Sequence, residues 1–414
     1  MTGRASANIP KSLRDLWKHQ DEHGRQSTPD NMSSAKAIVS HDTHANGGWK
    51  LEDVTVRKPG DGELLVEMVA TGVCHTDALI GGIPDGASPV AFYPRVLGHE
   101  GSGYVKEVAS NVTVAKVGDP VLLSYAFCNN CPACKSNGHS HCPDFTELNF
   151  TKNAASPIFT PSQGGDENSI HGAFFGQSSF ASLSIVRACS VVNAKDLIKS
   201  KEDLQLFAPL GCGIQTGAGT VINAAKATKD DIVCIMGLGG VGLSAIMAAK
   251  IQGSRIIIGV DRVQSRLELA KELGATHIVD GSALREGQSL TDAIKALSED
   301  LGPTVVIDTT GAPPLIQAGF DSARNKGRVI QVGSSPFDFN MSINMFAFMM
   351  RGVTFSGAIE GQAYPPEFVP KMVQWYRDGK FPVDKLVKFM AVDQFEQALE
   401  EMHSGKTIKP ILTY

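Results

Sequence analysis

The chain has 414 residues, of which 42% are hydrophobic and 20% charged, with a formal net charge of −5. That length predicts two or three domains with full hydrophobic cores, and the composition excludes a disordered or fibrous chain. The mild acidity, without any Lys/Arg block, leaves no electrostatic footprint for nucleic acid. No apolar signal-peptide core lies near the start, so the cytoplasm is the expected location, with no membrane partner.

Residues 1–34 form a polar, irregular extension, in which Ile9–His19 could make a short amphipathic helix. Asp15, Asp21 and Glu22 count against a transit peptide, which should be poor in acids. From Ala35 the texture becomes strand-like, with alternation in KAIVS, WKLEDVTVRK and GELLVEMVATGV. Short strands punctuated by Gly and Pro continue to about Val192, and this irregular β region holds nearly all the metal-type residues.

Cys128, Cys131, Cys134 and Cys142 give C-x2-C-x2-C-x7-C in a loop rich in Asn, Pro, Gly and Ser. Four thiolates on one tetrahedral Zn²⁺ make a closed, structural site. Iron–sulfur ligation is the rival, although its last cysteine gap is three residues, and disulfides are disfavoured in a cytosolic chain. His139 and His141 either replace a cysteine or stand as exposed loop residues. A second, dispersed set is Cys74 in VCHTD, His99 and Glu100 in LGHEGSG, and Cys212 in PLGCGIQTG. Each alone reads as packing. Two thiolates, one imidazole and an open position would instead match a catalytic zinc. Cys189 and Cys234 read as packing.

After Leu204 strands alternate with helices. Ile232–Met236, Ile256–Val260, His277–Asp280, Thr304–Asp308, Arg328–Val332 and Val353–Ala358 read as six buried strands. Helices such as Ser265–Leu273 and Leu290–Leu297 lie between them, which predicts an α/β doubly wound parallel sheet. The stretch Ile232–Ala249 is uncharged for 18 residues, but its glycines argue against a membrane helix. Gly237, Gly239 and Gly242 spell G-x-G-x-x-G at the end of the first strand, a turn that lets backbone N–H groups reach a pyrophosphate. Asp261, 19 residues after Gly242, ends the second strand where a carboxylate meets a ribose hydroxyl. The last segment carries helices around Phe368–Arg377 and Asp393–His403, and a strand Lys409–Thr413 placed to rejoin the β region.

These motifs together resemble the zinc-dependent medium-chain alcohol dehydrogenases over nearly all of Ala35–Tyr414. The resemblance rests on VCHTD, GHEGSG, the four-cysteine loop, GCGIQTGAG, GLGGVG, the Asp261 strand end and the closing KTIKPILTY. GCGIQTGAG, and the lack of histidine at position 79, are similar to the aryl (benzyl-type) branch. The resemblance implies a GroES-like irregular β catalytic domain, residues 35–205 and 360–414, and a Rossmann coenzyme domain, residues 206–359. It implies a catalytic zinc held by Cys74, His99 and Cys212, with Glu100 behind the metal and Asp77 orienting His99. Thr76 would hydrogen-bond the substrate oxygen and His75 the pyrophosphate. Gly237, Gly239, Gly240, Val241 and Gly242 would cradle NAD, whose ribose Asp261 and Arg266 would flank. Ser124, Phe174 and Phe175 would line the substrate cleft, although the two phenylalanines also read as core.

The implied activity is hydride transfer between NAD(H) and a primary, aromatic or cyclic, alcohol or aldehyde, with zinc as Lewis acid. Rival readings are a tailoring reductase of a small cyclic carbonyl or lactone, a glutathione-dependent formaldehyde dehydrogenase, and a structural protein with a relic dinucleotide fold. Leu79 stands where many relatives carry a proton-relay histidine. The 70 positions from Cys142 to Cys212 are similar to the longer form of this region in dimeric relatives, so a homodimer is expected.

Overall fold

Five consecutive apolar residues, Ile232–Met236, are completely buried and form the centre of a six-stranded parallel sheet. A strand can be apolar on both faces only where both are covered, as they are here by crossover helices. The computed structural model describes residues 32–151, 157–162 and 169–414. Of the expected N-terminal extension, residues 1–31 lie outside the described residues, as does the Ile9–His19 helix.

Across the sheet the strands run His277–Asp280, Ile256–Asp261, Ile232–Met236, Val305–Asp308, Arg328–Gln331 and Thr354–Gly357. In sequence order this is 3-2-1-4-5-6, the dinucleotide-binding arrangement. All five pairings are parallel. The six strands anticipated from apolar runs are therefore the six observed, with ends shifted by a residue. The helix Gly240–Ile251 leaves the first strand through the glycine turn. Close packing explains one glycine in this helix and one in a neighbour. A Cβ on Gly242 would lie 1.8 Å from the carbonyl oxygen of Gly237, and one on Gly217 would lie 1.9 Å from that of Val241. The second contact seats the short helix Gly213–Gly219 directly against Gly240–Ile251.

The β region is organised around the strand Glu63–Gly72. It pairs antiparallel with Gly101–Val108, with Leu183–Arg187 and with the terminal strand Lys409–Thr413. The chain end thus returns to the β region as its sequence suggested, accompanied by a parallel neighbour, Val387–Ala391, that the sequence did not signal. A small barrel of Met32–Ser40, Trp49–Arg57, Pro157–Pro161, Ile170–His171 and Arg95–Val96 packs beside this sheet. Residues Ser33–Tyr414 form one compact unit. Among the described residues no helix is long and apolar enough to cross a membrane.

Candidate active site

Cys74, His99, Glu100 and Cys212 converge, with one ligand atom of each lying within 4.8 Å of all the others. They come from three places. Cys74 caps the helix His75–Ile80, His99 and Glu100 precede the strand Gly101–Val108, and Cys212 precedes the helix Gly213–Gly219. Gly98 makes the turn into His99 at φ 86°, and a Cβ there would strike the Phe180 nitrogen at 2.4 Å.

Asp77 fixes this geometry. Its Oδ2 accepts from Cys74 N at 3.0 Å, and its Oδ1 accepts from Gly98 N at 3.0 Å and contacts His99 Nδ1 at 2.9 Å. A carboxylate on Nδ1 selects the tautomer that leaves Nε2 as a lone-pair donor. Among the described residues, the buried His99 Nε2 has no hydrogen-bond partner. An orphaned imidazole nitrogen between two thiols is the donor set of an open zinc site with three protein ligands, so the residues fit the metal. The Cys74 thiol is held well below the ordinary range by a hydrogen bond from Cys212, with Lys409 and His99 adding to it, while Cys212 is pushed up as it keeps the shared proton.

Several residues around this cluster were not foreseen. Lys409 Nζ lies 2.8 and 2.9 Å from the two oxygens of Glu100, and Gly213 N donates to Glu100 Oε1 at 3.2 Å. Gln177 bridges His99 O and Ser124 O through its amide nitrogen and accepts from Gly101 N. On the far side, Glu360 Oε1 contacts Cys212 Sγ at 3.6 Å, and Gln215 donates to its Oε2 at 2.8 Å. Burial pushes the Glu360 carboxyl up to about 7. Glu360, Gly361 and Gln362 all have positive φ, which marks a locally strained turn beside the cluster. Lys409 and Gln215 lay in stretches singled out by sequence, KTIKPILTY and GCGIQTGAG, but without a role of their own. Nothing in the charge-poor run around Glu360 pointed to the site.

Phe175 stacks on the His99 imidazole at 4.5 Å, and Phe174 meets it edge-on at 5.6 Å. Both rings are buried, so they belong to the core as well as to the surroundings of His99. Ser124 is buried too; its hydroxyl donates to Gly211 O at 2.6 Å and accepts from Gln215, which positions the loop before Cys212. Thr76 is half-buried in the first turn after Cys74, and His75 and Leu79 are exposed.

The glycine turn lies next to this cluster. Gly237 has φ 88°, and a Cβ there would collide with Thr310 and Thr309. Gly239 and Gly240 open the helix, with empty space about Gly239 where a phosphate could approach. Asp261 Oδ2 accepts from Leu238 N at 2.7 Å, inside the turn, while Oδ1 accepts from Arg262 N and Val263 N. Arg266 Nη1 sits 4.0 Å from Asp261. Lys409 reaches the turn as well: a Cβ on Gly240 would lie 3.6 Å from its Cε, and one on Gly213 would lie 3.6 Å from its Nζ and 3.8 Å from Val241.

The second cluster joins Cys128, Cys131, Cys134 and Cys142, again within 4.8 Å of one another. The Cys128–Cys134 and Cys131–Cys142 sulfur pairs are each 3.9 Å apart. Tetrahedral zinc with ~2.3 Å bonds needs sulfurs about 3.8 Å apart, so this loop fits a closed zinc site with four thiolate ligands. His139 and His141 do not join it. Nor is His139 an exposed loop residue: it is buried, stacked on Tyr364 at 4.2 Å and edge-on to Phe127. Cys234 is buried in the central strand.

Two family models match the chain: the alcohol dehydrogenase GroES-like domain over residues 60–196, and the zinc-binding dehydrogenase over residues 240–378. The chain belongs to the zinc-dependent medium-chain alcohol dehydrogenase family. It is an NAD-dependent alcohol dehydrogenase, with zinc and NAD as its cofactors. Geraniol dehydrogenase of Castellaniella defragrans is 36% identical over 94% of this chain and 99% of its own length. An S-(hydroxymethyl)glutathione dehydrogenase of Komagataella pastoris is 31% identical over 94% of this chain and 99% of its own. Among solved structures, benzyl alcohol dehydrogenase of Acinetobacter calcoaceticus superposes with a TM-score of 0.81 at 38% identity, covering 92% of this chain and 99% of that one.

Proposed function

We propose that the chain oxidises and reduces primary alcohols and aldehydes with an aromatic or cyclic skeleton. The observation that carries this reading is the pair of buried rings, Phe174 and Phe175, set against the His99 imidazole. Aromatic walls beside the reacting centre suit a flat apolar substrate, which offset or edge-on packing would orient. The similarity to an enzyme named for benzyl alcohol supports the aromatic class, whereas geraniol, an acyclic allylic alcohol, supports only a primary alcohol next to a double bond.

In this reading Cys74, His99 and Cys212 hold the catalytic zinc, with Asp77 fixing His99 and Glu100 standing behind. Zinc would act as a Lewis acid on the alcohol oxygen. Thr76 would relay the alcohol proton, accepting it while its own hydroxyl proton passes toward the coenzyme ribose, and Phe174 and Phe175 would align the carbon that gives up hydride. Ser124 shapes that wall indirectly, through the Cys212 loop. The glycine turn, Val241, Asp261, Arg266 and His75 bind NAD. Residues 35–205 with 360–414 act as the catalytic domain, and residues 206–359 as the coenzyme domain. Steady-state rates on aryl, cyclic and linear aldehydes and on S-(hydroxymethyl)glutathione test the substrate class. Expected is a kcat/KM for benzaldehyde-type substrates at least tenfold above that for linear aldehydes. A preference for S-(hydroxymethyl)glutathione would overturn the reading.

The same reading includes a cytoplasmic homodimer. On the helix Met345–Arg351, Met345, Phe346, Met349 and Met350 are all exposed. Next to it, Thr354–Gly357 ends the parallel sheet, with no strand on its outer edge among the described residues. An apolar face beside an open edge is a liability unless a second copy covers it. Light scattering should give a dimer mass, and Met349→Glu should reduce it to a monomer.

A further inference from the structure

The turn Glu360–Gln362 lies between the two cysteine clusters and touches both. Its φ values are 52°, 62° and 48°, and residues other than glycine stay in that region only where their surroundings hold them there. Gly361 has no room for a side chain, since a Cβ would lie 2.5 Å from Gln215 O and 2.8 Å from Gly219 Cα. Asn223 donates to Gly361 O at 3.1 Å and to Gln362 O at 3.3 Å. The turn is thus seated on the helix that follows Cys212. The Glu360 carboxyl completes the contact. Its Oε1 lies 3.6 Å from Cys212 Sγ, and its Oε2 accepts from Gln215 Nε2, which also donates to Gly211 O. These contacts fall on Cys212 itself and on residues to either side of it.

From Gln362 onward the chain is held from the other side, by the four-cysteine loop and the residues just before it. Gln362 Nε2 lies 3.4 Å from His141 Nε2, and the Tyr125 hydroxyl donates to Ala363 O at 2.5 Å. Tyr364 stacks on the His139 ring at 4.2 Å, with 23° between the planes. Phe127 meets both rings edge-on and closes the stack. Aromatic contacts of this kind are directional as well as apolar, so they fix where a ring sits. His139 and His141 lie between Cys134 and Cys142, and Cys142 N donates to His139 O at 3.1 Å. Where these two imidazoles stand therefore follows from how the four thiolates are gathered.

We propose that the four-cysteine loop braces the catalytic ligand Cys212 through this turn: His139 and Tyr364 set the turn, and Glu360 carries its position to Cys212. The three are positioning residues, acting through Cys212. The brace rests on the proposed place of Cys212 in the open zinc site. It gives the closed cluster, which leaves no position for substrate, a part in the reaction beyond ordering its own loop. Packed side chains couple two sites only where moving one end moves the other, and the far end here is the metal that Cys212 holds.

Co²⁺ can take the place of zinc on the same nitrogen and sulfur ligands, and its visible bands report their geometry. Imidazole binds only where a coordination position is open, so the bands it shifts belong to the site of Cys74, His99 and Cys212. In the full chain loaded with Co²⁺, Tyr364→Ala and Glu360→Ala should each displace those bands. Each should also speed the loss of that Co²⁺ to a chelator at least tenfold, the usual worth of a group that orients a metal ligand. Tyr364→Phe keeps the stack and should match wild type. Tyr364→Leu fills most of the volume but cannot stack, and it serves if the alanine variant is insoluble. The double variant Tyr364→Ala/Glu360→Ala should lose no more than the worse single variant, because both residues act along one path. Wild-type bands and release in folded Tyr364→Ala, whatever Glu360→Ala does, would overturn the brace. So would additive losses in the double variant. If imidazole shifts no band in the wild type, the assignment of Cys212 to an open site falls, and the brace falls with it.

Discussion

Lys409, on the last strand of the chain, holds Glu100 by both carboxylate oxygens at 2.8 and 2.9 Å, and each side chain is almost wholly buried. Lys409 also donates to Val73 O at 3.2 Å, one residue before Cys74. With its approach to Gly240, one cation therefore ties the metal cluster to the glycine turn. Burial works against the lysine's charge, but Glu100 and the nearby thiols outweigh it and raise Lys409; burial likewise raises Glu100, against the pull of Lys409.

Removing one partner of such a pair strands the other. Lys409→Met should cost about 3–5 kcal/mol of stability, and combining it with Glu100→Gln should recover part of that loss. Thermal unfolding of both single variants and the double variant gives the cycle, and zinc release to a chelator should be faster in each single variant. Additive losses, or a Lys409→Met protein as stable as wild type, would mean that the pair holds nothing together.

The two cysteine-containing clusters differ in kind, and metal removal should expose the difference. The purified chain should carry about two zinc ions, because one donor set is closed and the other leaves a position open. Cys131→Ser should lose one zinc and much of the loop's order, since three backbone N–H groups are spent on the loop's sulfurs. Cys212→Ser should lose the other zinc and remain folded. Elemental analysis with circular dichroism reads both. Iron in place of zinc, or a single zinc in an active preparation, would refute the assignment.

What could be read from sequence follows from physical range. The parallel sheet was legible because each strand is a short apolar run between turn signals, and because Gly237, Gly242 and Asp261 act within one local unit. The four-cysteine loop was legible for the same reason. The Cys74–His99–Cys212 cluster needed the family pattern, because no local rule spans 113 positions from His99 to Cys212. Lys409 and Glu360 escaped notice, as their meaning lies only in what faces them after folding. The helix Met345–Arg351 was missed because its apolar residues point outward, which defeats a reading that assumes they point in. His139 was misread since a polar loop predicts exposure, whereas Tyr364, distant in sequence, covers it.

Asp261 should make the coenzyme choice. Its oxygens are held by Leu238, Arg262 and Val263 amides, which fixes a carboxylate at the strand end beside the turn. It can accept from a 2′-hydroxyl and repels a 2′-phosphate. NADH should therefore exceed NADPH in kcat/KM by at least tenfold, and Asp261→Ser should narrow the gap, since Arg262 and Arg266 remain to meet a phosphate. Equal efficiency with both coenzymes in the wild type would take Asp261 out of this role.

Thr76 offers the most direct test of the chemistry. It sits in the first turn of His75–Ile80, two residues after Cys74, yet the bonds that hold this turn run from Cys74 N to Asp77 and do not use the threonine hydroxyl. A capping role for Thr76 is therefore unsupported among the described residues, which is consistent with the proposed contact with substrate. Valine has nearly the same shape but can neither give nor take a proton. Thr76→Val should keep both zincs, the thermal midpoint and near-normal NADH affinity, while hydride transfer slows by about 10²–10⁴, the usual worth of positioned acid–base help. Zinc content, the NADH dissociation constant and single-turnover rate should be measured on one preparation. Loss of zinc or stability along with rate would point to packing instead. A rate within about threefold of wild type, below the low end of that range, would remove Thr76 from the proton path and leave the alcohol proton to another group.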